Sequence, residues 1–216
     1  MKTLNLRCIA VLMAALLLPA AARAQQVDKK DNPNEVRETL AGNVVADAMR
    51  AAMHTDVALV NAGSLGAADP GDDITEKNLP DIVPFPGDVV VAIRITGADL
   101  RTALEKSVSA LPRRSSGFLQ VSGVAFTADP NAKNGARISN IRINGAALKP
   151  DATYTVALTD FLSSGGSGFV SFKNGKLLDD AREQTLGDIV LEHAAITDAA
   201  RKAVGSRISI LPLKTK

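Results

Sequence analysis

Apolar positions along the chain fall into short periodic stretches that predict helices and strands in mixed order. A helical stripe runs from Val36 to about Met53, and a second one places Leu100, Leu104 and Val108 on one face. Strands are predicted where short apolar or alternating runs are bounded by Gly, Pro or Asn, at about residues 57–60, 89–95, 118–126, 138–143, 154–158 and 207–211. No regular strand–helix–strand rhythm is present. The pattern therefore indicates an α/β (α+β) fold, a single mixed-sheet domain rather than a doubly wound one.

Capping and turn residues set the expected ends of these elements. Asn32-Pro33 predicts the cap and first residue of the first helix, which Gly42 interrupts. A helical Gly costs about 1 kcal/mol relative to Ala, so Gly42 indicates a close packing partner. Thr96 predicts the cap of the second helix, and Asn144-Gly145 predicts a tight turn. Further helices are expected at about residues 75–79, 185–195 and 198–204.

The N-terminal residues have the organisation of a secretory signal. Lys2 and Arg7 precede a short apolar run, and Ala22-Arg23-Ala24 forms an A-x-A cleavage site. These features predict an exported protein, periplasmic or extracellular. The expected division of the chain is a signal peptide at residues 1–24, a flexible lead at 25–32 and one domain at 33–212.

Composition limits the classes of function open to the exported chain. The single cysteine, Cys8, lies in the expected signal peptide, so no disulfide is predicted. The signal contains three of the 25 basic residues and none of the 23 acidic ones, so its removal leaves a near-neutral chain. Without a run of Lys or Arg, nucleic-acid binding has no electrostatic support. No other apolar run is long enough for a transmembrane helix, so neither nucleic acid nor membrane is expected as a partner.

Side chains that would support catalysis or metal binding are scarce. The two histidines, His54 and His193, do not have ligand-like spacing. Ser64 follows a predicted strand, but a loop rather than a helix comes after it, which disfavours a nucleophile elbow. The acidic residues between Asp69 and Asp73 fit no calcium-binding loop. We therefore expect no catalytic residue, no metal and no cofactor in this chain.

Two phenylalanines occur in loops of a chain in which aromatic residues make up only 3%. Phe85 lies between Pro84 and Pro86, which restrict its backbone, and Phe161 precedes a Gly-rich turn. Rings from two loops can clamp a flat heterocycle, and each stack contributes on the order of 1–3 kcal/mol. The alternative is that both rings fill the hydrophobic core. The residues alone leave both interpretations open.

Four motifs carry a resemblance to a known family. They are RETLAGN at residues 37–43, NAGS at 61–64, PFPGD at 84–88 and TDFLSSGGSGF at 159–169. In this order and spacing they resemble the C-terminal, nucleotide-binding domain of bacterial and animal 5'-nucleotidases. The resemblance extends from about Glu35 to Phe172 and implies the fold of that domain.

The resemblance also implies ligand contacts at particular positions. Phe85 and Phe161 match the two phenylalanines that sandwich the base in the family. Arg37 matches an arginine that contacts the polar part of the ligand, and Asn61 matches the asparagine of an Asn-x-Gly motif that fixes it. The substrate-binding residues expected on this basis are Arg37, Asn61, Gly63, Phe85, Phe161 and Ser167.

The chain departs from the family at two polar positions and in its extent. Gly66 stands where the family has a substrate-contacting Arg, and Ser167 stands where it has the Asp that accepts ribose hydroxyls. These changes predict weak binding that prefers a nucleoside or base over a nucleotide, and they suggest Gly66→Arg with Ser167→Asp as a restoring double substitution. The Asp-x-His and Gly-Asn-His motifs of the family's metallophosphatase domain are missing.

The sequence thus predicts a secreted, stand-alone recognition domain of the 5'-nucleotidase family, linked to nucleotide breakdown. It would bind a nucleoside or nucleotide, and a separate metallophosphatase chain would supply the metals. The family consists of hydrolases, but this chain alone is expected to be inactive. The alternative is a structural or protein-docking domain that kept the fold and lost nucleotide binding.

Overall fold

The computed structural model describes residues 31–178 and 184–214. Most of the expected signal peptide and lead, residues 1–30, therefore lies outside the described residues. Within the described part, no helix combines the length and the apolar character that crossing a membrane requires.

Two mixed sheets form the centre of the fold, which confirms the predicted α/β (α+β) class. The first sheet contains β1 (Val57–Asn61), β2 (Val89–Thr96), β3 (Leu119–Ser122), β7 (Thr153–Thr159), β8 (Lys176–Leu177) and β9 (Gln184–Thr185). The second sheet contains β4 (Val124–Ala128), β5 (Ile138–Ile143), β6 (Ala146–Ala147) and β10 (Ile208–Ile210). The sequence had indicated the longer strands, but neither the two-residue strands β6, β8 and β9 nor the division between two sheets.

Helices cover the sheets and connect their strands. The α-helices are α1 (Leu40–Met53), α2 (Leu79–Ile82), α3 (Gly97–Ser107), α4 (Asp160–Ser163), α5 (Leu186–His193) and α6 (Asp198–Lys202). Short 3₁₀ helices occupy Pro33–Glu35, Ala62–Ser64, Gly166–Gly168 and Val170–Asn174.

The strand order of the first sheet brings four strand ends to one edge. The order is β3-β1-β7-β2, and β8 and β9 both pair with the far side of β2. β1 runs parallel to β7, whereas β3 is antiparallel to β1 and β2 is antiparallel to β7. The carboxyl ends of β1 and β7 therefore lie beside the amino ends of β3 and β2. Every loop at these four ends opens on the same side of the molecule.

The central strands are buried on both faces, which explains their nearly continuous apolar sequence. Val57 and Leu59 of β1 pack into a core shared with α3 and the second sheet. Ala58 and Val60 point to the opposite face and pack into a core beneath α1 and α5. Full burial of each such aliphatic side chain contributes about 1.5–3 kcal/mol. The two cores therefore hold the first sheet rigidly from both sides.

The first helix begins later than the sequence pattern indicated. Asn32 does cap a helix with Pro33 at its start, but this is a 3₁₀ turn that ends at Glu35. α1 starts only after Thr39, whose extended backbone and side-chain hydrogen bond from Gly42 N form the cap. The carboxylate of Glu38 accepts hydrogen bonds from two backbone N–H groups, that of Arg207 just before β10 and that of Ile208 in β10. This tertiary contact overrides the helical periodicity before residue 40.

The short helix predicted at residues 75–79 is also displaced toward the C-terminus. The side chain of Asn78 accepts a hydrogen bond from Thr75 N at 2.7 Å, which closes a turn there. The helix that follows, α2, begins at Leu79 with Pro80 in its first turn. Side-chain competition for backbone groups thus sets this boundary.

Gly42 has the close packing partner that the sequence predicted. A Cβ at this position would overlap the side chain of Gln120. Gln120 is buried and accepts from Thr39 N at 3.1 Å, while its Nε2 donates to Asn34 O at 3.0 Å and to Arg37 O at 2.7 Å. One side chain therefore satisfies three backbone groups of the segment that leads into α1.

We expect Gly42→Ala to destabilise the protein, although Ala is the better helix former by about 1 kcal/mol. The added methyl group displaces Gln120 and breaks buried hydrogen bonds, which should cost roughly 1–3 kcal/mol. Urea denaturation measures the free energy of unfolding. Gly87→Ala is the matched control, because a Cβ at Gly87 meets nothing within 4 Å. A Gly42→Ala variant as stable as the wild type would contradict this role of Gln120.

Candidate functional site

The loops at the four converging strand ends form one continuous surface, which we call the loop edge. It comprises residues 61–66 after β1, 84–88 before β2, 115–118 before β3 and 160–169 after β7. Backbone hydrogen bonds join neighbouring loops: Ala62 N donates to Phe118 O at 2.8 Å and Gly63 N donates to Ser116 O at 2.9 Å. These bonds fix the loop after β1 to the loop before β3.

Phe85 projects from a loop that is held at several points. Asp88 N donates to Phe85 O at 3.1 Å, and Gly187 N from α5 donates to Pro86 O at 2.8 Å. The close packing of Pro86 on Gly187 leaves no room for a side chain at position 187. Although its backbone is anchored, the Phe85 side chain is 57% exposed.

Phe161 lies in the first turn of α4 and is 49% exposed. Its backbone N–H donates to Asp160 Oδ1 at 2.7 Å. A Cβ at Gly166 would lie 2.6 Å from both Cε1 and Cε2 of the ring, so Gly166 sits over the ring face. The ring thus rests with one face on the Gly-rich turn, and its exposed part is available to solvent or ligand.

The structure does not support the alternative that both rings fill the core. Phe118, Phe169 and Phe172 are fully buried, and Phe169 stacks on Phe172 with ring centroids 5.4 Å apart. Phe85 instead projects from the loop before β2, and Phe161 projects from the one-turn helix α4 after β7, where the sequence had indicated a loop. Both rings are therefore exposed at the loop edge.

Ser167 also belongs to the loop edge. It has a left-handed backbone conformation, with φ of 53°, inside the turn formed by residues 165–168. A Cβ at Gly117 would lie 3.7 Å from Ser167 Cβ, so the turn lies against the loop before β3. Ser167 is half-buried there.

Asn61 and Gly63 reach the loop edge but are occupied by internal contacts. Asn61 is buried; its Nδ2 donates to Ser116 O at 3.3 Å and its Oδ1 accepts from Ser64 Oγ at 3.1 Å. A Cβ at Gly63 would lie 2.9 Å from Asn61 Nδ2. In the structure these residues fix the loop after β1, and their contact with a ligand stays a prediction.

Arg37 lines a cleft beside the segment that leads into α1. Its side chain is exposed and lines a cleft of about 270 Å³ between the segment before α1 and the loop containing Ala67, Ala68 and Pro70. Neither Phe85 nor Phe161 lines this cleft. The predicted contact of Arg37 with a ring-bound ligand therefore gains no support from the geometry.

The restoring substitution at Gly66 suggested by the sequence is sterically excluded. A Cβ at Gly66 would overlap the carbonyl oxygen of Asp81, the residue before the end of α2. Gly66 N also donates to Ile82 O at 2.8 Å, and Gly66 O accepts from Asn34 Nδ2 at 2.8 Å. The backbone at Asp81 leaves no space for an arginine side chain at position 66. Gly66→Arg would therefore disrupt the fold and could not test binding.

Two carboxylates near the rings were not predicted from the sequence as part of the site. Asp88 ends the Phe85 loop, and Asp160 immediately precedes Phe161. Because Val90 of β2 pairs with Thr159 of β7, the two acids lie next to each other at the loop edge. Partial burial, and then the nearby charge of Asp160, raise the pKa of the Asp88 carboxyl above its ordinary value. The available sequence signal was an acid within three residues of each of these phenylalanines.

The histidines remain apart in the fold. His54 ends α1 in a left-handed conformation, and His193 at the end of α5 lies 3.8 Å from Glu192. Within residues 31–178 and 184–214, no group of three or more His, Cys, Asp or Glu side chains is arranged to hold a metal ion.

Comparison with known proteins places the chain in a family. The model of the 5'-nucleotidase C-terminal domain matches residues 20–174, well over half of the sequence. The chain belongs to the 5'-nucleotidase C-terminal domain family. The family assignment made from the four motifs is therefore confirmed.

Two relatives of this chain extend well beyond the part that aligns with it. Human 5'-nucleotidase is 30% identical over 195 residues, which cover 80% of this chain and 33% of the human protein. The trifunctional nucleotide phosphoesterase YfkN of Bacillus subtilis is 33% identical over 145 residues, or 63% of this chain and 10% of that protein. The chain thus spans a third or less of these two relatives.

Solved structures confirm the 5'-nucleotidase C-terminal fold. The 5'-nucleotidase precursor from Thermus thermophilus superposes with a TM-score of 0.73 at 26% identity, covering 84% of this chain and 37% of that one. A putative 5'-nucleotidase from Staphylococcus aureus gives a TM-score of 0.64 at 19% identity, covering 73% and 34%. The second likeness concerns the fold alone.

We expect Asp88→Asn to stabilise the protein at pH 7. The folded pKa of Asp88 is raised above the unfolded value, so the stability linked to its neutral form is present at low pH and is lost as pH rises through the folded pKa. The advantage of the Asn variant should therefore shrink as pH falls toward about 4, near the ordinary aspartate pKa. Urea denaturation at both pH values provides the measurement.

Asp151→Asn serves as the control for this pH dependence, because Asp151 is exposed at the opposite end of β7. If Asp88→Asn increases the free energy of unfolding equally at both pH values, the raised pKa of Asp88 is refuted.

Proposed function

We propose that this chain is a secreted recognition domain that stacks the base of a nucleoside or nucleotide on Phe85 and Phe161. The observation that carries the proposal is the exposure of these two rings on anchored loops of one sheet edge. Membership of the 5'-nucleotidase C-terminal family supports a nucleotide-related ligand. Export by the N-terminal signal belongs to the same proposal, and its basis is the sequence of residues 1–24.

The expected affinity follows from the contacts that the loop edge offers. Stacking contributes about 1–3 kcal/mol for each base–aromatic contact, so two rings give about 2–6 kcal/mol. A free energy of about 4 kcal/mol corresponds to a dissociation constant near 1 mM. Because the amide of Asn61 is engaged internally and Gly66 has no side chain, stacking provides most of the binding.

Hydrolysis in this proposal depends on metal ligands supplied from elsewhere. The described residues contain no cluster of metal-binding side chains, and the aligned part of human 5'-nucleotidase is only 33% of that protein. We propose that a metallophosphatase domain, distinct from the domain described here, provides the hydrolytic centre. The present chain would hold the base while that centre acts on the phosphate.

A second candidate function is protein docking. It is favoured by the scarcity of polar ligand contacts. Asp81 O occupies the space that a side chain at position 66 would need, and Arg37 lines a cleft that neither ring lines. Exposed aromatic side chains on a rigid surface are also typical anchors of protein interfaces. In this case Phe85 and Phe161 would contact a partner protein in place of a base.

Isothermal titration calorimetry with adenosine separates the two functions. The wild type should bind with a dissociation constant near or below the millimolar range. Phe85→Ala and Phe161→Ala should each weaken binding by about 5-fold or more, because each removes a stacking partner. Leu177→Ala is the matched control, since Leu177 is 63% exposed but lies on β8 outside the loop edge.

Circular dichroism of each variant confirms that its fold is retained. Absence of adenosine binding by the wild type would overturn the recognition proposal in favour of docking. An equal loss of binding in Leu177→Ala would likewise argue against a specific contact with the two rings.

A further inference from the structure

Each of the two exposed phenylalanines, which together we call the ring site, has a carboxylate attached to the same short segment. Asp88 N donates to Phe85 O at 3.1 Å, so Asp88 closes the turn that begins at Phe85. Asp160 precedes Phe161, and its Oδ1 accepts a hydrogen bond from Phe161 N at 2.7 Å. The segments that present the rings therefore also fix the positions of the two acids.

The pairing of β2 with β7 brings the two carboxylates together. Val90 is the partner of Thr159, and Asp88 and Asp160 lie just beyond these two residues on their own strands. Helix α4, which begins at Asp160, also packs against β2. Leu186 N from α5 donates to Asp88 O at 2.8 Å and holds the backbone of Asp88 in place. The two acids thus lie side by side at the loop edge.

No cation among residues 31–178 and 184–214 forms an ion pair with either acid. The ion pairs found in this part of the chain involve other carboxylates, those of Asp31, Asp47, Asp72 and Glu192. Burial, and then the charge of Asp160, raise the pKa of the Asp88 carboxyl. Asp88 and Asp160 therefore give the ring site an uncompensated negative charge.

Two lysines contact the Gly-rich turn that follows α4, but they do not neutralise the acids. Lys173 lies against Gly165 and Lys106 lies against Gly168, at the two ends of that turn. The described ion pairs include neither of these lysines. The strand ends that carry the two carboxylates remain acidic.

Phenyl rings beside carboxylates favour a positively charged ligand. The face of a phenyl ring is the negative part of its quadrupole, and a cation stacked on an exposed ring gains about 2- to 5-fold in affinity. A nearby carboxylate adds a Coulombic attraction that a neutral ligand does not experience. A flat heterocycle with a positive charge would therefore interact favourably with the rings and with the acids at the same time.

We propose that Asp88 and Asp160 make the ring site selective for nucleosides whose base carries a positive charge. The proposal rests on the proposed function, because the base must first stack on Phe85 or Phe161. The carboxylates attract the charge of the base while the rings contact its faces. A neutral base of the same shape receives the stacking contribution alone.

Isothermal titration calorimetry of three nucleosides at pH 7 and low ionic strength tests this selectivity. The base of 1-methyladenosine is positively charged at pH 7, whereas adenosine and N⁶-methyladenosine are neutral, and the latter carries the same added methyl group. The wild type should bind 1-methyladenosine at least about tenfold more tightly than N⁶-methyladenosine, because each carboxylate contributes about threefold and the ring faces add to this. About 0.3 M salt should reduce the preference, since it screens exposed charges.

Asp88→Asn with Asp160→Asn removes both charges and keeps the shape of the side chains. An amide oxygen at position 160 can still accept the hydrogen bond from Phe161 N, so α4 keeps its start. The double variant should lower the preference for 1-methyladenosine about tenfold, and each single variant about threefold. The affinities for the two neutral nucleosides should change much less than the affinity for the cation.

Asp151→Asn is the matched control for the loss of a surface carboxylate. Asp151 is exposed and precedes β7, whereas Asp160 follows it. The seven residues of β7 between them span about 23 Å, at about 3.3 Å per residue. This variant should keep the full preference for the charged base.

The outcomes distinguish failure of the charge selectivity from failure of the ring site. If adenosine binds and 1-methyladenosine binds no more tightly than N⁶-methyladenosine, or if the double variant keeps the preference, the role of the acids is refuted while base stacking stands. If the double variant weakens all three nucleosides equally, the acids act on the fold and their role is also refuted. If the wild type binds none of the three, both proposals fall together.

Discussion

Strand β7 determines where the candidate site can form. It pairs in parallel with β1 on one side and antiparallel with β2 on the other, so the end of β7 lies beside the end of β1 and the start of β2. Val156, Ala157 and Leu158 of β7 are fully buried between the two cores, which fixes the position of the strand. The two exposed phenylalanines therefore reach one surface even though 75 residues separate Phe85 from Phe161.

Close backbone contacts at glycine decide which polar contacts the loop edge retains. Gly66 lies against Asp81 O, so the loop after β1 has no space for a side chain at this position. Gly166 lies against the face of Phe161, so the ring is supported by backbone and not by another side chain. In the proposed function, recognition consequently depends on the exposed rings much more than on buried hydrogen bonds.

The sequence predicted the elements that depend on local periodicity and local capping. The α3 stripe with Leu100, Leu104 and Val108 is buried as expected, and Thr96 caps that helix. The late start of α1 could not be predicted, because Glu38 is drawn to the backbone of β10, about 170 residues away. The same limit applies to the site. The phenylalanines stood out as rare aromatics, whereas Asp88 and Asp160 become neighbours only when β2 pairs with β7.

The most direct measurement is a nuclear Overhauser experiment on the domain with selectively labelled phenylalanine in the presence of excess adenosine. The central claim is that Phe85 and Phe161 contact the base, while the buried Phe118, Phe169 and Phe172 do not. The account predicts intermolecular cross-peaks from the adenine protons H2 and H8 to the ring protons of Phe85 and Phe161. Adenine cross-peaks confined to residues lining the Arg37 cleft, or no intermolecular cross-peaks at all, would contradict it.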